Sequence, residues 1–336
     1  MGHEVHDGTA IEWLLASDEP AIRMMARRDL LDLPVSDEEQ TATLQGPKVR
    51  RLLSGQRADG GFGGHPYKKW TGAHWRLVSL VELGIPAGEP NALAAAETVL
   101  TWLCSPQHIA AVKQIDGLTR RCASQEGNAL AVASRLGLAG DRRVELLARS
   151  LMEWQWPDGG WNCDLRASGR RSSFHESLAP AWGLHEFAEA TGDEGAADAA
   201  RRAAELFLDH HLFRTTRTRE PIHKSWLALH YPAYWHYDIL QGLVVLARLS
   251  LASDERANDA LDVLESRRLP DGRWRPGGYW WRPPGTADGN VEVVDWGRGR
   301  PSEMITLNCL RVLKAAGRSS KLPRAMVEPG GRRALG

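Results

Sequence analysis

The segment Gln155-Trp156-Pro157-Asp158-Gly159-Gly160-Trp161 decides how this chain is read, because its layout recurs. Gln56-Arg57-Ala58-Asp59-Gly60-Gly61-Phe62 and Arg268-Leu269-Pro270-Asp271-Gly272-Arg273-Trp274 share its plan: a long polar residue, Asp-Gly beginning three positions later, and an aromatic ring at the sixth. Each copy follows an apolar-periodic segment, ending in Leu52-Leu53, Leu151-Met152 or Val263-Leu264. A turn and a ring repeated at fixed offsets mark copies of one supersecondary unit. The physical reading is a helix that stops at a sharp turn. Gly accepts the positive φ that ends helices, and the preceding Asp favours the turn. The aromatic ring folds back onto the helix end, where the Gln amide can bond free backbone groups.

Between these turns lies a second series of segments with apolar residues at three- and four-residue spacing, the helical period. They end near Gly84, Gly137, Gly192, Ser250 and Gly317, at intervals of 53, 55, 58 and 67 residues. That length fits two antiparallel helices with their loops. Trp102 to Gln107 and Asp209 to Phe213 stand where degenerate copies of the turn belong, so five or six helical hairpins are expected.

The Gln-x-x-x-Gly-x-Trp form resembles the QW motif of the squalene–hopene cyclase and protein prenyltransferase β-subunit superfamily. The resemblance spans roughly residues 45–317, with Phe62 for Trp in the first copy and Arg268 for Gln in the third. It implies an all-α fold, an α/α toroid with inner helices around a cavity and outer helices as a second ring. Triterpene cyclases carry two such domains, and this chain has the length for one. The expected organisation is a helical N-terminal cap (1–44), the toroid (45–317) and a basic, Gly/Pro-rich disordered tail (318–336). Pro20 and the acidic pair Asp18-Glu19 mark the start of a helix inside the cap.

With 42 basic and 42 acidic side chains, formal charge is zero, which speaks against a nucleic-acid partner. No apolar run reaches the roughly 20 residues that span a bilayer, and the N-terminus lacks the basic start and apolar stretch of a secretory signal. Cys104, Cys122, Cys163 and Cys309 have no paired spacing and read as reduced thiols of a cytoplasmic protein.

In a toroid, the N-terminal ends of the inner helices gather at one mouth, so polar residues opening those helices are the site candidates. They are Lys69, Thr71 and His74, then Ser124 to Glu126 with Asn128, then Ser172, Ser173, His175 and Glu176. Tyr231, Tyr234, Trp235, His236 and Asp238 follow, and last Asp295, Trp296, Ser302 and Glu303. N-capping explains any single Ser or acid here. Recurrent His beside carboxylate points instead to acid–base chemistry by His175, Glu176, His236, Asp238 and Glu303. His74, Trp75, Glu126, Trp182, Tyr234, Trp235, Tyr279, Trp280, Trp281 and Asp295 are expected to shape the substrate pocket. Gly277 to Trp281 reads as an aromatic lid, and the runs Leu212–Leu229 and Arg275–Pro301 are long enough to be functional loops.

The superfamily's alkene-protonating Asp-x-Asp-Asp and diphosphate-ionising Asp-Asp-x-x-Asp motifs are both missing. Prenyltransferase β-subunits hold zinc with an Asp-x-Cys pair and a later His. His175, His236 and Asp238 stand at a similar register and offer three ligands with one open position, in reversed order and without the thiolate. The sequence therefore points to a terpenoid-cyclase-like enzyme acting on an isoprenoid or other small amphiphile by cyclisation, isomerisation or elimination. Two other readings stay open: a non-catalytic scaffold derived from a cyclase domain, and a polysaccharide-lyase-like sugar enzyme, the latter by fold analogy. Oligomeric state is not legible.

Overall fold

The computed structural model describes residues 7–287 and 289–319. Helices alternate between two layers along the chain. α1 (Asp7–Leu15) leads into α2 (Pro20–Leu31), and after α3 (Asp37–Leu44), α4 (Pro47–Leu53) leads into α5 (Ala73–Glu82). α6 (Pro90–Leu103), the short α7 (Pro106–Ala110) and a hairpin of β1 (Lys113–Ile115) and β2 (Leu118–Arg120) precede α8 (Ser124–Arg135). The pairs α9 (Arg142–Trp154) and α10 (Phe174–Thr191), α11 (Glu194–Asp209) and α12 (Ile239–Arg248), and α13 (Asn258–Ser266) and α14 (Glu303–Ala315) complete the series.

The layers follow from burial. α8, α10, α12 and α14 are buried along most of their length, whereas α9, α11 and α13 bury one stripe. A helix buried all round belongs to the interior, and one with a single apolar stripe belongs to the rim. α5 packs on α8, α8 on α10, α10 on α12, α12 on α14, and α14 on α2. Gly84, just past α5, lies against Met24 and Met25 of α2, which brings the last inner helix back to the first. The fold is an all-α, α/α toroid. The segment expected to cap the toroid supplies α1 and α2, and both pack on α14. The expected tail, apart from Arg318 and Ser319, lies outside the described residues.

The recurring turns hold the outer ring together. Gln56 Nε2 donates to the carbonyls of Gly60 (2.8 Å) and Asn91 (2.7 Å), the latter on α6. Gln155 Nε2 does the same to Gly159 (2.7 Å) and Ala199 (2.8 Å), the latter on α11. Trp161 and Trp274 donate their indole N–H back to Leu151 (2.9 Å) and Leu264 (2.8 Å), carbonyls at the preceding helix ends. In the third copy the guanidinium of Arg268 pairs with Asp7 at the start of α1. The substitution that breaks the motif thus joins the last outer helix to the first.

Gln155→Ala leaves two carbonyls without their shared donor, and net hydrogen bonds of this kind contribute about 1 kcal/mol each. The expected result is a loss of about 2 kcal/mol in urea unfolding, with the midpoint lowered and the slope unchanged.

Candidate functional site

Aromatic rings pack together at the N-terminal mouth of the toroid. Trp70 hydrogen-bonds the carbonyl of Trp280 (2.9 Å), Trp280 stacks on His236 (3.9 Å, 16°) and on His230 (4.6 Å, 26°), and Lys69 Nζ lies 5.0 Å from the Trp235 ring. The expected lid residues divide. Trp281 is buried with its indole N–H on the Tyr231 carbonyl (3.1 Å), and Tyr279 accepts from the Gly299 amide (2.7 Å).

His175 and His236 do meet here, their ring centroids 6.2 Å apart. Burial, with His175, His230 and Lys69 around it, holds His236 down at about 3, and burial also lowers His175, so both rings are neutral at pH 7. His175 Nδ1 accepts the backbone N–H of Tyr237 (2.9 Å). Asp238 does not join them. One oxygen caps α12 through the Gln241 amide (3.1 Å), and the other takes the His230 amide (2.9 Å) and His230 Nδ1 (3.0 Å). The expected zinc set His175, His236 and Asp238 is therefore not assembled, because Asp238 is spent on capping and on His230. Among the described residues the side chains that do gather at metal-ligand spacing are Cys122, Cys163 and Glu176.

Other expected site residues are structural. His74 is a core histidine: both ring nitrogens lack partners, burial lowers it to about 3, and Tyr67, Trp75 and Trp102 surround it. Glu126 is buried against Arg121 (2.7 Å) and His108 (2.9 Å). Glu303 accepts from Ser17 (2.6 Å) and Lys48 (3.3 Å), tying α14 to the N-terminal helices. Asp295 turns its own loop by accepting the Gly297 amide (2.9 Å).

The ring's interior holds a different constellation. The loop after Tyr231 drops Tyr234 into the toroid, where it stacks face to face on Trp70 (3.6 Å, 5°) and meets Trp75 edge-on (5.6 Å, 90°). Its hydroxyl donates to Glu292, a carboxylate 2% exposed on the long loop before α14. Burial pushes Glu292 up to about 7, although Tyr234, the Val293 amide and the charge of Arg76 pull the other way. A small inner hollow of about 40 Å³ lies below Tyr234, walled by Val78, Leu178, Trp182, Gln241, Val244 and Asn128. Asn128 is 3% exposed, and its Nδ2 has no hydrogen-bond partner.

This hollow shares Glu82, Trp182, Val244 and Arg248 as walls with a basin of 560 Å³ at the C-terminal ends of the inner helices. That volume is in the range of small-molecule sites. Its rim carries Arg28, Arg135, Arg248, Arg311 and Lys314 against Asp29, Asp32 and Glu82. Arg248 lies over the Trp182 ring (4.5 Å) and holds Glu82 only at 3.4 Å.

A cavity of 810 Å³ also opens beside the expected Ser172, Ser173 and His175 at the start of α10; the sequence reading passes over Glu292, Arg248 and His230. A signal for Glu292 was present: a lone carboxylate among β-branched residues, Val291-Glu292-Val293-Val294, in an otherwise polar loop.

No protein-family model matches the sequence, and no curated protein matches it. The chain is similar to the solved structure of the type II terpene cyclase MstE from Scytonema in its apo form, with 14% identity, 81% of this chain and 97% of that chain covered, and a TM-score of 0.29. No helix among the described residues is long and apolar enough to cross a membrane. The α/α toroid described above rests on the chain's own helix packing and on its turn hydrogen bonds.

Proposed function

We propose that this chain is an enzyme that transfers protons to or from a small amphiphile with an anionic head. One small group of the substrate enters the hollow below Tyr234, the rest of its apolar part lies in the basin against Trp182 and Val244, and the head meets Arg248 and its neighbours on the rim. The observation that carries this reading is the buried Tyr234–Glu292 pair, in which Tyr234 lines the hollow and Glu292 stands behind it, reached through the Tyr234 hydroxyl. A carboxyl group with a pKa near 7 is suited to general acid–base work at neutral pH. It is too weak an acid for an unactivated alkene, so isomerisation, elimination or cyclisation of an activated substrate fits better. The unpartnered amide of Asn128 supplies a polar contact for the substrate inside an otherwise apolar wall.

The head-group preference is testable with dodecyl phosphate and dodecanol as probes. Dodecyl phosphate is expected to raise the melting temperature more than dodecanol does. Arg248→Ala should weaken dodecyl phosphate binding about 10- to 100-fold, the range of a charged hydrogen bond lost. Equal stabilisation by both probes, or full binding by the Arg248→Ala protein, sinks this part of the reading. Catalysis is tested by incubation with isoprenoid alcohols, carboxylates and phosphates in D₂O, with product mass and deuterium content as the readout. A protein that binds such molecules and turns over none of them is a binding protein instead.

A further inference from the structure

Cys122, Cys163 and Glu176 come from three segments that the backbone locks together. Cys122 precedes α8, Cys163 follows the second recurring turn, and Glu176 sits in the first turn of α10. The Arg121 amide donates to the Asn162 carbonyl (3.1 Å), which fixes the strand before Cys122 beside the strand before Cys163. The Ser124 amide donates to Glu176 Oε2 (3.0 Å), which fixes the carboxylate beside α8. Glu176 Oε1 lies 3.6 Å from the sulfur of Cys163. One ligand atom from each of the three side chains lies within 4.8 Å of the other two.

We propose that these residues form a zinc site, distinct from the Tyr234–Glu292 pair and independent of the function proposed above. Zn–S bonds of about 2.3 Å and Zn–O bonds of about 2.0–2.2 Å around a tetrahedral ion put neighbouring ligand atoms roughly 3.5–3.8 Å apart. The Cys163–Glu176 pair has that spacing before any ion binds, and Cys122 lies within 4.8 Å of both, a small adjustment away. Two thiolates with one carboxylate select zinc over magnesium or calcium, which prefer oxygen ligands alone. Both cysteines are half-buried, while Glu176 is 8% exposed, so the side of the ion next to the sulfurs is reachable from solvent. Three protein ligands leave one position open, the pattern of sites that bind water or a ligand oxygen rather than of closed structural sites. The rigid frame is what a thiolate site needs, since little ordering is left to oppose binding.

The test uses the full chain, loaded with zinc and then washed with a weak chelator. About one zinc per chain by elemental analysis is expected, and cobalt in its place should give thiolate charge-transfer absorption with intense tetrahedral visible bands. Cys122→Ser and Cys163→Ser should each weaken zinc by at least about 100-fold, a direct ligand mattering no less than an outer contact. Glu176→Gln, which keeps the side chain's shape, should weaken zinc while the thiolate-to-cobalt absorption persists. Cys104→Ser and Cys309→Ser leave zinc unchanged. The proposal is overturned if the folded chain retains no zinc, if the Cys122/Cys163 double variant retains it, or if thiol titration of the unfolded chain finds these two joined as a disulfide. Loss of zinc here with proton transfer intact separates this site from Glu292.

Discussion

Glu292→Gln is expected to lower turnover by about 10²- to 10⁴-fold, the usual contribution of a positioned general acid or base. Gln keeps the shape: its one oxygen can accept the Val293 amide, and its NH2 can donate to the Tyr234 hydroxyl oxygen, where Glu292 now accepts from both groups. Binding of dodecyl phosphate should therefore stay close to wild type, and only the proton is lost. If the protonated form acts, kcat/KM of the wild type declines as pH rises through about 7. The same group links stability to pH. Its pKa stands at about 7 in the folded chain against an ordinary 4.5. The folded state therefore keeps a proton that the unfolded state has already lost, and stability drops as pH rises from 4.5 through 7. The difference of 7 − 4.5 corresponds to about 3 kcal/mol. Melting curves at pH 5 and pH 8 should show this decline in the wild type, and a flatter dependence in Glu292→Gln. Equal slopes in the two proteins mean that Glu292 is charged throughout, and the proton-transfer reading then loses its acid.

The toroid was legible because its signals are local. Asp-Gly after an apolar-periodic run ends a helix wherever it stands, and Gly60, Gly159 and Gly272 all adopt positive φ (81°, 92° and 81°). Arg268 broke the pattern on paper, and only the return of α1 to the ring gave it a partner in Asp7. The site was less legible because register does not fix direction. His175, His236 and Asp238 open neighbouring helices, yet Asp238 turns to the Gln241 amide and to His230 eight residues before it. Cys122 and Cys163 have no sequence spacing that announces a pair, since two helices, α8 and α9, separate them in the chain. Their meeting depends on how closely α8 approaches α10.

That approach gives the largest stability effect. Gly127→Ala is expected to cost about 3–5 kcal/mol or to prevent folding, at the top of the range for overpacking a rigid site. A Cβ on Gly127 would stand 2.3 Å from the backbone nitrogen of Pro180 and 2.4 Å from the carbonyl carbon of Ala179. A Cβ on Gly183 would stand 2.3 Å from the carbonyl oxygen of Gly127. These obstacles are backbone atoms on inner helices packed on both sides, so no rotamer change relieves them. α8 and α10 would have to separate, and Glu176 would leave the Ser124 amide and the two cysteines together. Gly137→Ala is the control: its Cβ meets only the Ala87 side chain at 3.9 Å, and the strain comes from its φ of 86° alone, which costs on the order of 1–2 kcal/mol. Chemical unfolding should therefore rank Gly127→Ala and Gly183→Ala well below Gly137→Ala. If Gly127→Ala is as stable as Gly137→Ala, the two inner helices are not in backbone contact, and the rigid frame assigned to the zinc site is lost with that contact.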